Sequence, residues 1–249
     1  MMDHFPYKLI DSADRPATLG LVVLQVDETI EQDFRRLFVG PDVSLHVSRI
    51  PSGANLTPDT IAQMAIDLPH ATSLLPPAAQ FDVIGYACTS GTTLIGADKV
   101  TKLVSEHANT QAVTNPLSAT IAAFNSLDVQ SVAIVSPYIA SVAQPIQNAF
   151  EGAGFRVPAT VSFGEQVEAN VARIDPASIH AAALEIGKAA GVDAVFLSCT
   201  NLRTLDIIGD LEHRLGRPVV SSNQALAWHM SQLAFAPLSP DAPGVLCRK

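Results

Sequence analysis

Two short stretches of the chain look like copies of each other, and each contains a cysteine followed by a threonine. They are residues 81–90 and residues 192–201. Each begins as a mostly apolar run of strand length, which is typical of a strand buried on both faces of a parallel sheet. Cys88 and Cys199 therefore stand where strands end, at the carboxyl edge at which open α/β sheets bind ligands.

The similarity between the two halves of the chain extends beyond the cysteines. The two thiols are 111 residues apart, and the same offset aligns residues 21–27 with residues 132–138. The first strand of each half thus ends in a polar residue, Asp27 or Tyr138. Strands alternate with helices along the chain, which gives parallel sheets with right-handed crossovers. The sequence predicts an α/β fold of two similar parallel-sheet halves, related by a pseudo-twofold axis, with the active site in the cleft between them.

The first predicted half comprises residues 19–127 together with a C-terminal helix at about residues 222–235, and the second comprises residues 128–221. Residues 1–18 and 237–249 are terminal extensions. The C-terminal extension is rich in proline, so we expect it to be a loose end. A Gly-Thr-Thr turn is expected soon after the first cysteine.

The composition excludes several classes of function. The chain has 249 residues, of which 48% are hydrophobic, and a formal net charge of −9, so one large or two small globular domains are expected. Because it has no basic cluster and no apolar run of about 20 residues, we expect neither nucleic-acid nor membrane binding. Residues 1–18 do not resemble a signal peptide and the three cysteines do not suggest a disulfide framework, which favours the cytoplasm. No zinc-ligand or phosphate-loop motif is present, so neither a metal nor a cofactor is expected.

The two Cys-Thr segments, called tips because each stands at the end of a predicted strand, suggest acid–base chemistry. Each tip is predicted to precede a helix, whose free N–H groups would bind a carboxylate and lower the thiol pKa from about 8.5. Two thiols on opposite faces of one carbon could remove a proton and return another without a cofactor. Donors for a carboxylate or a developing enolate would be the polar residues after the cysteines, namely Thr89, Ser90, Thr200 and Asn201.

A structural role for the cysteines is the competing interpretation. Free cysteine is among the most buried residue types, so a single one at a strand end is commonly a packing residue. Two cysteines in matching Cys-Thr contexts favour function over packing. Cys247 lies in the proline-rich tail without a motif, and we expect it to be incidental.

Three stretches together resemble the aspartate/glutamate racemase superfamily. They are Gly-Tyr-Ala-Cys-Thr-Ser-Gly-Thr at 85–92, Ser-Pro-Tyr-Ile at 136–139 and Leu-Ser-Cys-Thr-Asn-Leu at 197–202. The similarity covers roughly residues 19–228 and is strongest to the branch that contains maleate cis-trans isomerases and arylmalonate decarboxylases. Residues 21–31 further resemble the ectoine-utilisation protein A group of that branch.

The resemblance implies roles for five residues. Cys88 and Cys199 match the paired cysteines of the superfamily. Thr89 and Ser90 match donors that hold a substrate carboxylate or enolate, and Tyr138 matches a tyrosine that hydrogen-bonds it.

Departures from the pattern bear on the type of reaction. Arylmalonate decarboxylases have glycine at the first cysteine position, so Cys88 argues against that activity. Where Asp27 stands, maleate isomerases have asparagine and amino-acid racemases have aspartate. Asp27 would then pair with a substrate ammonium or orient Cys88, unless it only caps a helix. Arg49 could pair with a second carboxylate, and Asn170 lies near where isomerases place a substrate-binding asparagine.

The resulting hypothesis is a racemase or isomerase of a small carboxylate that works by thiolate proton abstraction and thiol reprotonation. The substrate would be an amino acid or an acylated diamino acid, with ectoine degradation as one context. Three alternatives stay open: cysteine addition to an alkene as in a maleate isomerase, decarboxylation, and a binding module that clamps a carboxylate without chemistry. The expected partner is the small carboxylate itself, and homo-oligomerisation is left open.

Overall fold

Two parallel sheets of four strands each form the framework of the molecule. The computed structural model describes residues 4–9, 15–55 and 57–249, so parts of the predicted N-terminal extension lie outside the described residues. The first sheet has the strand order β2-β1-β3-β4 and the second has the order β6-β5-β7-β8. In chain order the strands are β1 Ala17–Leu24, β2 Val43–Ile50, β3 Val83–Ala87, β4 Val113–Thr114, β5 Ser131–Ser136, β6 Arg156–Ser162, β7 Ala194–Leu197 and β8 Val219–Ser221. The repeated strand order confirms the prediction of two similar parallel-sheet halves.

Helices connect the strands and cover the sheets. In chain order they are α1 Ile30–Leu37, α2 Pro58–Ser73, α3 Thr89–Ile95, α4 Ala97–Ser105, α5 Pro116–Ser126, α6 Ala140–Gly152, α7 Glu168–Val171, α8 Pro176–Gly187, α9 Leu205–Leu215 and α10 Ser222–Ala234. None of those in the described part of the chain is both long and apolar enough to cross a membrane. The Gly-Thr-Thr segment predicted as a turn lies inside α3, because Cys88 caps this helix and starts it earlier than expected.

The two halves are joined by helices that reach across. Phe124 of α5, which follows β4, packs against Phe196 of β7 with ring centroids 6.3 Å apart. Helix α10, which follows β8, packs against α5 and against β3 and β1 of the first sheet. At Gly85 of β3 a side chain would bring its Cβ to 2.8 Å from the Met230 sulfur, so glycine allows α10 to lie close to the sheet. The bounds given above to the two halves stay a prediction.

The prediction of a loose C-terminal end is wrong. Leu246 is fully buried, and the backbone N–H of Ser239 donates to the Leu37 carbonyl oxygen at 2.7 Å. The Val245 N–H donates to the Glu212 carboxylate, and Gln224 donates to the Pro243 carbonyl oxygen at 2.7 Å. An apolar anchor and satisfied backbone groups therefore hold the tail in place despite its prolines.

Candidate active site

Cys88 lies at the end of β3 and caps α3. Its Sγ accepts the backbone N–H of Gly91 at 3.1 Å and lies 3.6 Å from the Ser90 hydroxyl. A Cβ at position 91 would lie 2.6 Å from the Tyr86 hydroxyl and 2.8 Å from the Cys88 sulfur. Only glycine at this position lets the helix start so close to the thiol.

Cys199 lies just beyond the end of β7 in an unusual backbone conformation. Its φ is 155°, a region that is sparsely populated by residues with a side chain and costs about 1–3 kcal/mol. Its sulfur accepts the N–H of Asn201 at 3.4 Å. A turn follows, and α9 begins only at Leu205, so the prediction of a helix directly after each cysteine holds for the first tip alone.

One hydroxyl joins the two Cys-Thr loops. The Ser222 Oγ lies 2.9 Å from the Thr89 Oγ1 and accepts the backbone N–H of Cys199 at 3.1 Å. The Thr200 hydroxyl donates to the Ala87 carbonyl oxygen at 3.4 Å, which is a long contact between the halves. The structure thus brings the ends of β3 and β7 together, as expected for a site in the cleft.

The start of α10 also supports the second loop. Asn223 donates from Nδ2 to the Thr200 carbonyl oxygen (2.8 Å) and to the Asp33 carboxylate (2.7 Å). Ser222 and Asn223 are buried, and neither was among the predicted site residues. The available signal was the polar run Ser221-Ser222-Asn223 at the end of a strand.

Tyr138 lies beside the cysteines, as the resemblance implied. Burial raises the pKa of its hydroxyl well above the usual value, and the neighbouring thiols of Cys199 and Cys88 add to the rise. The Tyr138 hydroxyl therefore shares a buried environment with the two thiols. It can hydrogen-bond a substrate atom placed between them.

Glu168 was not among the predicted residues, yet it is buried and bonded to the second cysteine loop. The carboxylate is 2% exposed and accepts a hydrogen bond from Asn201 Nδ2 at 3.1 Å. Its backbone N–H donates to the Ala54 carbonyl oxygen at 3.0 Å, next to a bridge between Asn55 and Val167. Burial raises the pKa of Glu168, and the charge of Asp27 raises it further.

Burial raises the pKa of both thiols and so favours their protonated form, contrary to the sequence-based expectation of a lowered pKa. Burial raises the pKa of Cys88 to about 11, against the opposing effect of the Ser90 hydroxyl and the Gly91 N–H. Burial, and then the charge of Glu168, raise the pKa of Cys199 well above its usual value. Desolvation of the thiolate outweighs the helix start at the first cysteine, and the second lacks such a helix.

Asp27 caps a helix, which is one of the roles that the sequence left open. Its Oδ1 accepts the backbone N–H groups of Thr29 (2.8 Å) and Ile30 (2.9 Å), so it caps the beginning of α1. Its Oδ2 is buried and has no hydrogen-bond partner among the described residues. Burial raises the pKa of this carboxyl, against the two N–H donors.

Three predicted binding residues have other tasks. The Arg49 guanidinium donates to the carbonyl oxygens of residues 24, 25 and 27 and pairs with Glu31, so it holds the end of β1. Asn170 is exposed and donates to Glu165 at 3.2 Å. Asn201 is buried, but its Oδ1 accepts the Glu28 N–H at 2.8 Å and its Nδ2 donates to Glu168. Asn201 therefore positions Glu168 and is not free to bind substrate.

The remaining predicted residues are buried at the carboxyl ends of the strands. Thr89 and Ser90 lie in the first turn of α3, whose N–H groups have no acceptor within the helix. Their N–H groups and the Ser90 hydroxyl could hold a carboxylate. In the described part of the chain, no three His, Cys, Asp or Glu side chains cluster closely enough to hold a metal ion.

Comparison with known proteins gives consistent matches. The sequence profile of the family described as arylmalonate decarboxylase matches residues 65–247. The arylmalonate decarboxylase of Bordetella bronchiseptica is 30% identical over 87% of this chain and 90% of its own length. The maleate isomerase of Nocardia farcinica is 26% identical over 93% of this chain and 95% of its own length.

Solved structures share the fold. One is the Nocardia farcinica maleate cis-trans isomerase with a cysteine replaced by serine and a covalently bound succinylcysteine intermediate. It has a TM-score of 0.85 and 24% identity, and the match covers 93% of this chain and 98% of that one. Another is a liganded arylmalonate decarboxylase with one glycine changed to cysteine and one cysteine to serine. It has a TM-score of 0.79 and 26% identity, with coverage of 93% and 98%.

Proposed function

The chain belongs to the arylmalonate decarboxylase family, and we propose that it is a racemase or isomerase in which two thiols exchange a proton across a small carboxylate. The carrying observation is that Cys88 and Cys199 end equivalent strands of two similar sheets, and that the Ser222 hydroxyl joins the two loops that carry them. A decarboxylase that protonates from one side needs only one such thiol. A pair on facing loops suits proton removal on one face and return on the other.

The proposed reaction uses the groups in the cleft as follows. The first-turn N–H groups of α3 and the Ser90 hydroxyl hold the substrate carboxylate. One thiolate takes the proton from the adjacent carbon, and the electron pair moves into the carboxylate to form an enediolate. Tyr138 stabilises the developing charge. The other thiol then donates its proton to the opposite face, and no cofactor is required.

The substrate is proposed to be an amino acid or an acylated diamino acid. The similarity of residues 21–31 to the ectoine-utilisation group supports ectoine degradation as a context. Asp27 supports a substrate that carries a nitrogen donor, because its buried Oδ2 has no hydrogen-bond partner among the residues that the structure describes.

Cis-trans isomerisation is the second candidate, supported by the similarity to maleate isomerases. In that reaction a cysteine thiolate adds to one alkene carbon, and the electron pair of the double bond moves towards the carboxylate on the other carbon. The C–C bond, now single, rotates, and the pair re-forms the double bond as the thiolate leaves. The same pair of thiols could perform it. It differs from racemisation in that no solvent hydrogen need be incorporated at a substrate carbon.

Solvent deuterium uptake tests the proposal. We expect the protein in D2O to exchange the α-hydrogen of at least one compound in a panel of small amino acids, acylated diamino acids and dicarboxylates, as followed by proton NMR. Fumarate formed from maleate without deuterium uptake would favour the second candidate. Carbon dioxide released from a malonate would identify a decarboxylase. Binding without any turnover, retained when both cysteines are serine, would identify a binding module.

Asp27→Asn is expected to separate capping from catalysis. Asparagine caps a helix as well as aspartate does, and the change removes a buried charge, so the melting temperature should be retained or rise. Turnover should fall about tenfold or more because a group that touches substrate is altered. Asp175→Asn, at the start of α8 where the aspartate side chain makes no capping bond, is the control. Unchanged turnover in Asp27→Asn would assign this residue to capping alone.

A further inference from the structure

The two Cys-Thr loops differ in what holds them. Cys88 is fixed by its own helix, because the Thr92 N–H and the Thr92 hydroxyl both donate to the Cys88 carbonyl oxygen, at 3.0 and 2.8 Å. Cys199 has no helix directly after it, since α9 begins only at Leu205, and its φ of 155° is strained. A strained residue keeps its conformation only when its surroundings over-determine it. The second loop therefore needs support from other parts of the chain.

Asn223, in the first turn of α10, supplies that support. Its Nδ2 donates to the carbonyl oxygen of Thr200, the residue after Cys199, at 2.8 Å, and to the Asp33 carboxylate at 2.7 Å. Asp33, Thr200 and Asn223 are all buried. The Asn223 Oδ1 has no hydrogen-bond partner in the part of the chain that the structure describes, so the two Nδ2 bonds fix the amide.

The ionised form of Asp33 determines which way this amide points. An ionised carboxylate is an acceptor only, and so is the Thr200 carbonyl oxygen, so both require the Asn223 Nδ2 between them. A protonated carboxyl could instead donate to Oδ1 of a rotated amide, which would leave the buried Thr200 carbonyl oxygen without a donor. Protonation of Asp33 would therefore loosen the second loop.

Asp33 can change its charge near neutral pH. Burial raises its pKa to about 7, against the hydrogen bond from Asn223, and it lines a cavity of about 330 Å³ through which protons can reach it. The charged groups around it, from the end of β1, from α1 and from the start of α9, are Asp27, Glu28, Arg36, Arg203 and Asp206. Ionising such a carboxyl costs stability as the pH rises from about 4 to about 7. Asparagine would avoid this cost, so an acid at this position suggests a role beyond stability.

We propose that Asp33 is a positioning residue for Cys199: its carboxylate, acting through Asn223, holds the second Cys-Thr loop so that the thiol meets the substrate. The inference rests on the proposed function for the use of this thiol as a base or an acid. It assigns the effect of Asp33 to one face of the substrate. Cys88 should be independent of Asp33, because its loop is held within α3.

Deuterium exchange into substrate tests each face separately. In a Cys88→Ser background only Cys199 is left to act, and in a Cys199→Ser background only Cys88. Adding Asp33→Ala should lower exchange about 10-fold or more in the first background and leave it within about twofold in the second. Asp33→Asn should restore most of the loss, because its Oδ1 can still accept from Asn223. Equal losses on both faces in Asp33→Ala would overturn the assignment in favour of a structural role.

The matched control is Asp206→Asn. This aspartate lines the same cavity and is exposed, and it pairs with Arg36 rather than with Asn223. Its replacement should leave exchange on both faces unchanged at pH 8. A loss on the Cys199 face as large as that in Asp33→Ala would show that charge in the cavity, and not the bond to Asn223, is what matters.

The pH profile gives a readout that a structural role would not move. In the Cys88→Ser background, exchange should fall about 100-fold per pH unit below pH 7, tenfold from the thiol and tenfold from protonation of Asp33. In the Cys199→Ser background the fall should be about tenfold per unit. Asp33→Asn should remove the extra fall. Its persistence there would overturn the assignment and point to Asp27 or Glu168, two buried carboxyls whose pKa is also raised.

Amide hydrogen exchange of the full-length protein tests the loop without any substrate. The peptide with residues 198–204 should exchange about 10-fold or more faster in Asp33→Ala than in the wild type at pH 8, and near the wild-type rate in Asp33→Asn. Unchanged protection in Asp33→Ala would overturn the inference. A loosened loop in a protein that exchanges no substrate hydrogen would support it and refute the proposed function alone.

A second comparison serves if Asp33→Ala does not fold. The wild-type loop should lose protection between pH 8 and pH 6, after correction for the intrinsic exchange rate, whereas the loop of Asp33→Asn should not. An equal change in the two proteins would overturn the inference.

Discussion

Cys88→Ser and Cys199→Ser are each expected to abolish racemisation, by about 10³-fold or more, while leaving deuterium exchange into one enantiomer. Each thiol is assigned to one face of the substrate, so a variant keeps one base and loses the group that completes inversion. A serine hydroxyl is too weak an acid to replace the thiol. The two variants should exchange opposite enantiomers, which polarimetry and NMR in D2O can measure.

Cys247→Ser is the control for these two substitutions. This thiol lies in the packed C-terminal tail, near Gln224 and Glu212, and we expect its replacement to leave turnover unchanged. Near-wild-type activity in Cys88→Ser, with carbon dioxide released from a malonate, would contradict the two-thiol reaction. Loss of all exchange in one variant, with alkene isomerisation in the wild type, would instead indicate cysteine addition.

Slow alkylation of the active-site thiols at neutral pH is the second large effect that we expect. With the Cys88 pKa raised to about 11, the thiolate fraction at pH 7.5 is about 300-fold below that of a free cysteine with a pKa of about 8.5. The reaction with iodoacetamide should be slower by about this factor, and burial of the sulfurs lowers it further. The Cys247→Ser background leaves only the two thiols of the cleft to be counted by mass spectrometry.

The direction of the pH dependence follows from the same shift. A thiol whose pKa is raised stays protonated until high pH, so the thiolate fraction grows about tenfold per pH unit below the pKa. We expect the alkylation rate, and kcat/KM for the exchange reaction, to rise with pH from 7 towards 10. Rapid alkylation of Cys88 or Cys199 at pH 7, with no further rise, would show that a thiolate already exists in the free protein.

Local patterns in the sequence were enough to predict the framework and the position of the two cysteines at the ends of strands. The inner strands are continuous apolar runs, and their burial on both faces follows from that pattern. Because the carboxyl ends of parallel strands meet at one edge, the residues that follow them, Asp27, Cys88, Tyr138 and Cys199, could be assigned to one cleft.

The features that could not be predicted depend on contacts between distant parts of the chain. Glu168 follows a loop and looks like a solvated residue, and its burial arises from contacts with Ala54 and Asn201. The thiol pKa was expected to fall because a helix start is visible in the sequence, whereas the depth of burial is not. Arg49 has a position suited to binding a carboxylate, but backbone carbonyls of its own sheet take up its donors.

The position of α10 has a consequence for the synthesis of the chain on the ribosome. Strands β1 and β3 are made early, yet the helix that covers them is among the last segments to be translated, and Met230 of α10 packs directly over Gly85. At about 5–20 residues per second, the apolar face of β3 waits on the order of ten to thirty seconds for its cover. During that interval the nascent chain exposes a surface that chaperones bind, and its catalytic edge is completed only when Ser222 has emerged.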